Sequence, residues 1–207
     1  MDGISDIDLE AIISSKGEDD RMRLETLANE SLTLFPWISK FDLSWMTHNH
    51  YFEHPENPRV QFQIQTEGLL LYGSRYLATA NFPPIGPDLA RFLNSNFYRF
   101  RDRVHEFTIS RHDAIEIENM VRVTAKVGLR LALSILVAED AYYTHNIRDI
   151  RLAAQVRLAH DIQGALDTLE SARTKPEGTK QSLIQTVEAL DRVADMAHSV
   201  GVLQMPD

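Results

Sequence analysis

A mainly α-helical bundle closed by a C-terminal antiparallel helical hairpin is the fold class this sequence predicts, and three observations carry it. Apolar residues recur at three- and four-residue steps over much of the chain from Asp19 onward, the spacing of one helix face. The last third holds two matched seams, Leu158, Ile162, Ala165, Leu169 and Ala172, then Leu183, Val187, Leu190, Ala194 and Ala197, each stepping 4, 3, 4, 3. Between them Thr174-Lys175-Pro176-Glu177-Gly178-Thr179 is turn chemistry, so short that the two helices must be antiparallel neighbours.

Taken in order, residues 1–18 read as a flexible tail, because they carry acids and no sustained helical period. The first helix is predicted from Asp19 or Asp20, whose carboxylates suit the positive helix end, to Leu34, with Pro36 as the stop. Trp37 to His54 is irregular and aromatic, and His54-Pro55-Glu56-Asn57-Pro58 is loop chemistry. Arg59 to Gln65 alternates strictly, with Val60, Phe62 and Ile64 on one side, as a half-buried strand does. Gly68 to Phe82 fits either a partner strand or a buried helix, so a small β-hairpin near residues 59–82 is admitted. Asp88 to Phe107 has the period of an amphipathic helix, and His112 to Tyr143 that of a longer one whose second half is apolar almost all round, which implies burial on several sides. The expected organisation is a tail (1–18), a mainly helical domain (19–145) and a hairpin (146–207) that packs on it or forms a dimer interface.

Composition narrows the function classes. A hydrophobic fraction of 43% and a charged fraction of 25% belong to a compact globular chain. The absence of cysteine excludes disulfides and thiolate metal sites, and the acidic N-terminus lacks the pattern of a secretory signal, so a cytoplasmic setting is expected. The most apolar run, Val127 to Ala138, is interrupted by Arg130 and is too short to span a bilayer, which needs about 20 residues. A net charge of −9 repels phosphate backbones, so neither nucleic acid nor membrane is an expected partner. No Gly-rich phosphate loop, Ser-His-Asp order or dinucleotide fingerprint is present, and no cofactor is predicted.

Three groups of residues carry candidate chemistry. At 100° per residue His160 lies opposite the apolar seam of its helix, where an imidazole beside the Asp161 carboxylate can act as nucleophile or proton acceptor. His48, His50 and His54, with Glu53 among them, are closely spaced nitrogen and oxygen donors of the kind that bind zinc or iron. His112-Asp113 matches the dipeptide of the HD phosphohydrolase metal core, but His105 is too close to serve as its upstream ligand, and Asp113 fits the start of the long helix instead.

Leu158-Ala159-His160-Asp161-Ile162, followed by Leu166, Leu169 and a second amphipathic helix, resembles the dimerisation and phospho-acceptor hairpin of sensor histidine kinases. The resemblance covers about a quarter of the chain. It implies that His160 accepts a phosphoryl group, that Asp161 assists proton removal, that two hairpins pair as a four-helix dimer, and that a response-regulator-like protein is a partner. Gly164 and Ala165 depart from the hydroxyl or amide residue and the proline usual after the histidine, and too few residues follow for an ATP-binding domain. The leading expectation is therefore a noncatalytic helical regulatory or scaffold protein that self-associates through its hairpin as a homodimer. A phosphotransfer protein using His160, a metal-dependent helical enzyme and a viral or phage structural subunit are the alternatives.

Overall fold

The computed structural model describes residues 7–15, 17, 19–35, 41–53, 62, 64, 66, 68–69, 71, 84–144, 146–158 and 160–204, and for residues 7, 8, 41, 52, 53 and 161 only the backbone. It is mainly helical, as the periodicity predicts, and among the described residues it has one small parallel sheet, placed elsewhere than the hairpin admitted near 59–82. The chain forms two compact units, one of residues Met1–Gln65 and Leu70–Ala80, the other of Thr66–Leu69 and Asn81–Asp207. The division thus falls near residues 65–81 instead of at residue 145, and the C-terminal hairpin shares a unit with the helices before it.

In the first unit, strand β1 (Ile7–Ile13) pairs in parallel with β2 (Phe41–Thr47), Ile7 standing opposite Phe41 and Ile13 opposite Thr47. A strand therefore occupies part of the expected tail. Alternation puts Leu9, Ala11 and Ile13 on the same face as Leu43 and Trp45, while Glu10 and Ser44, opposite each other on the other face, share a hydrogen bond from Ser44 Oγ to Glu10 Oε2. Helix α1 (Asp20–Leu34) connects the strands and lays Leu24 and Ala28 toward Leu43 and Trp45 of β2. No residue of α1 is buried. The short helix α2 (His48–Glu53) follows, and Tyr51 and Phe62 are the large buried side chains described in this unit. Phe62, Ile64 and Thr66 are helical, which corrects the strand expected over 59–65; most of the remainder of the hairpin expected near 59–82 lies outside the described residues.

The second unit is built on α5 (Ala114–Asp140), against which α3 (Pro87–Leu93), α6 (Ile147–Arg157), α7 (Gln163–Thr174) and α8 (Lys180–Ser199) all pack, while α4 (Phe97–Ile109) lies on α8. Every residue of α5 from Leu131 to Val137 is buried, as an all-round apolar run requires. The start of α5 is set by a full capping box: Glu116 N–H donates to Asp113 Oδ1 at 2.8 Å, and Asp113 N–H to Glu116 Oε2 at 3.1 Å. Its end is set by Ala141, which takes the left-handed conformation at φ 50°. The amphipathic run from residue 88 is broken at Asn94-Ser95-Asn96 into α3 and α4, Asn94 Nδ2 donating back to the Ala90 carbonyl.

Both predicted seams of the hairpin are buried, and they are buried inside the chain, against α5 and each other. Two glycines allow the close approach. A Cβ on Gly128 of α5 would stand 2.7 Å from Leu169 Cδ1 of α7, and one on Gly178, in the α7–α8 turn, 2.3 Å from the Ala114 carbonyl oxygen. Outward, α8 presents Gln181, Gln185, Glu188, Arg192 and Asp195, a fully polar face. Among the described residues no helix is long and apolar enough to cross a membrane.

Candidate functional site

The first arm of the hairpin is not one helix. Helix α6 stops at Arg157, Leu158 is extended at φ −95° and ψ 158°, and a single 3-10 turn, His160–Ile162, leads into α7. Neither glycine nor proline marks the break; side chains hold it. Gln163 Nε2 donates to the Ala154 carbonyl at 3.1 Å, which also accepts the Leu158 N–H at 3.0 Å, and to the Leu158 carbonyl at 3.4 Å, bridging the end of α6. The nearly buried Arg151 guanidinium donates from Nη1 to Gln163 Oε1 at 3.1 Å and from Nη2 to Asp167 Oδ1, and its Nε lies 3.6 Å from Glu170 Oε2, in ion-pair range but beyond a hydrogen bond. Arg151, Gln163, Asp167 and Glu170 thus brace α6 against α7. Asn146 Oδ1 caps the start of α6 by accepting from Arg148 N–H at 3.0 Å.

This brace presents His160. Its imidazole is exposed, as its position opposite the seam implies, and among the described residues it has no hydrogen-bond or ion-pair partner. It stands on the 3-10 turn at the start of the arm that becomes α7, in place of the middle of the regular helix expected from the resemblance. The side chain of Asp161 lies outside the described residues, so the pair is not brought together or separated by anything on view.

The other described histidines of the second unit, His105, His112 and His198, are tied down. His112 stacks flat on Phe107, ring centroids 3.4 Å apart, and sets Nδ1 3.2 Å from Glu116 Oε2, the carboxylate already engaged in the cap of α5. The His112-Asp113 pair is therefore a helix start. Along α4, Tyr98, Arg101 and His105 share one face turned to α8. Tyr98 Oη hydrogen-bonds His198 Nε2 at 2.7 Å, Arg101 Nε donates to Asp191 Oδ1 at 2.7 Å, and His105 Nε2 lies 3.4 Å from Asp191 Oδ2. Burial raises the Tyr98 hydroxyl above its usual pKa, partly offset by the Arg101 charge, so the phenol stays protonated as a tie. Sequence reasoning missed these pairs, since partners so far apart in the chain leave no local signal.

His48 and His50 fall on α2. Residues two apart on a helix point about 200° from one another, so these imidazoles diverge. His54 and the Glu53 side chain lie outside the described residues, and among the described residues no three His, Asp or Glu side chains gather as a metal-binding group. An open groove of about 390 Å³ between α7 and α8 is lined by Asp167, Ser171, Lys175, Ser182 and Thr186; Thr186 Oγ1 donates to the Ser182 carbonyl. No family model, curated protein or solved structure matches the chain.

Proposed function

We propose that this protein is a helical scaffold or regulatory protein that works by association, with itself in the first place, and not by catalysing a reaction. The observation that supports it is how the helical unit uses its titratable side chains: Tyr98 with His198, Arg101 and His105 with Asp191, and Arg151 with Asp167 join one helix to the next instead of converging on a space a substrate could enter. The apolar seams of the hairpin are filled by α5 and its outer face is polar, so self-association uses a surface outside the seam. Sedimentation equilibrium of the full chain from low to high micromolar concentration tests the reading. A dimer is expected, and a monomer at every concentration overturns it.

A second reading rests on the exposed, unpartnered imidazole of His160, which fits a phosphoryl acceptor. One ring nitrogen would form the bond to phosphorus as the donor's bond to phosphorus breaks, the proton of the other nitrogen passing to Asp161. Incubation with a phosphorylated response regulator or kinase should label the wild type and not His160→Ala; equal labelling of both rules the reading out.

A further inference from the structure

The α1 helix is the anomaly of the first unit. It runs for 15 residues without burying one of them. A helix of that length is marginal in water on its own, and most helical stability in proteins comes from packing an apolar face. Its inner face, Leu24 and Ala28, rests on β2. On the opposite face Asp19, Met22, Arg23, Thr26, Leu27 and Glu30 make one shallow surface, and its apolar members stand in solvent, Met22 at 64% and Leu27 at 48% exposure, with Leu34 on the same side at 72%.

The charges on this face are arranged about a centre. Arg23 and Glu30 lie seven residues apart, two turns or about 10 Å along the axis, too far to pair with each other. Neither has an ion-pair partner among the described residues, whereas Arg21 and Glu25, on the other side of the helix, pair at 2.9 Å. The midpoint between Arg23 and Glu30 falls between Thr26 and Leu27. If the same face of a second helix is laid antiparallel across that midpoint, each Arg23 meets the Glu30 of the other copy and each Leu27 meets the centre of the other helix. Met22 of one copy then falls within a turn of Leu34 of the other. Such a face is complementary to itself, the requirement of a twofold interface.

We propose that α1 is the self-association surface: the outer faces of α1 from two copies dock antiparallel, Leu27 at the centre and two reciprocal Arg23–Glu30 ion pairs flanking it. This rests on the self-association reading and names its surface. The test is a charge swap followed by sedimentation equilibrium on the full chain, with circular dichroism confirming unchanged helix content. Arg23→Glu and Glu30→Arg each place like charges opposite one another twice, and each weakens dimerisation by about tenfold. An equimolar mixture of the two variants forms a heterodimer with both pairs restored, one in its native sense (Glu30 with Arg23) and one reversed (position 23 acidic, position 30 basic), and its affinity returns to near that of the wild type; the double variant R23E/E30R, with both pairs reversed, recovers it as well. A wild type that dimerises with an affinity unmoved by either single reversal, or a mixture that fails to recover, overturns the α1 interface and leaves self-association standing. A wild-type monomer at every concentration removes both.

Discussion

Helix α8 buries eight of its side chains, among them Leu183, Leu190 and Val193, whereas α1, five residues shorter, buries none. Both are legible as helices in the sequence, α8 strongly amphipathic and α1 hardly so, and they are held differently. In the second unit a long central helix gives each neighbour something to pack against, and polar ties close the remaining gaps. In the first unit a two-stranded sheet offers α1 one narrow support, and two strands seldom make a stable layer alone. The contrast teaches that a helix legible in sequence is not thereby a buried one: the apolar residues of α8 gather on one face and make core, whereas those of α1 are spread around the helix and none is buried.

The comparison breaks most sharply at the leucines. Leu190→Asp puts a carboxylate into the fully buried seam and is expected to cost about 4 kcal/mol or more, unfolding the helical unit in a urea titration followed by circular dichroism. Leu27→Asp, on the outer face of α1, should leave that titration within about 0.5 kcal/mol of wild type while weakening dimerisation.

The chain's two tryptophans, Trp37 and Trp45, both lie in the first unit, so their fluorescence reports on it alone. Burial pushes the Tyr51 hydroxyl of that unit up to about 12, from 10.0. The neutral phenol favours the folded form, so its contribution, on the order of 2 kcal/mol, is fully present below pH 10 and is lost as pH rises from 10 to 12. The tryptophan signal should show that alkaline loss in the wild type and not in Tyr51→Phe; an identical profile in both refutes the assignment.

Two glycines and one arginine sharpen the picture of the second unit. Gly178→Ala drives a Cβ into the Ala114 carbonyl and should cost about 2 kcal/mol, since backbone must move to admit it. Arg151→Ala removes the brace at the α6–α7 break, for about 1.5 kcal/mol, with raised amide exchange at residues 154–163 as its local signature. Gly164→Ala, at an open position of α7, should stabilise by about 0.5 kcal/mol. Equal effects of the two glycine substitutions in thermal denaturation would show that the close approach at Gly178 is not needed.

Much of this architecture was legible in residue types. Leu34 followed by Pro36 ends α1, Asp113 with Glu116 starts α5, and the matched steps around Leu169 and Leu190 give the hairpin its turn and its buried faces. What escaped has a physical cause in each instance. The apolar period runs on through Asn94-Ser95-Asn96 and through Leu158, so period alone bridges breaks that polar side chains such as Asn94 and Gln163 stabilise. Alternation around Phe62 and Ile64 mimics a strand, yet those residues are helical. Strands β1 and β2 pair across an intervening helix, and parallel pairing leaves no turn signal between its members. At the candidate site the exposure of His160 followed from its angle on the helix, but the Arg151 brace could not, because it depends on where α6 stops.

The contact between Gly178 and Ala114 also orders events in time. The turn from Lys175 to Thr179 closes locally and fast, bringing α7 and α8 together, whereas its seat against the first turn of α5 joins parts of the chain far apart in sequence. The hairpin can therefore assemble before its turn is docked, and the docking waits on the Asp113 cap that fixes where α5 begins. This corner is thus expected to close last as the bundle folds, with amide exchange faster at residues 177–179 than in the middles of α7 and α8 as the check.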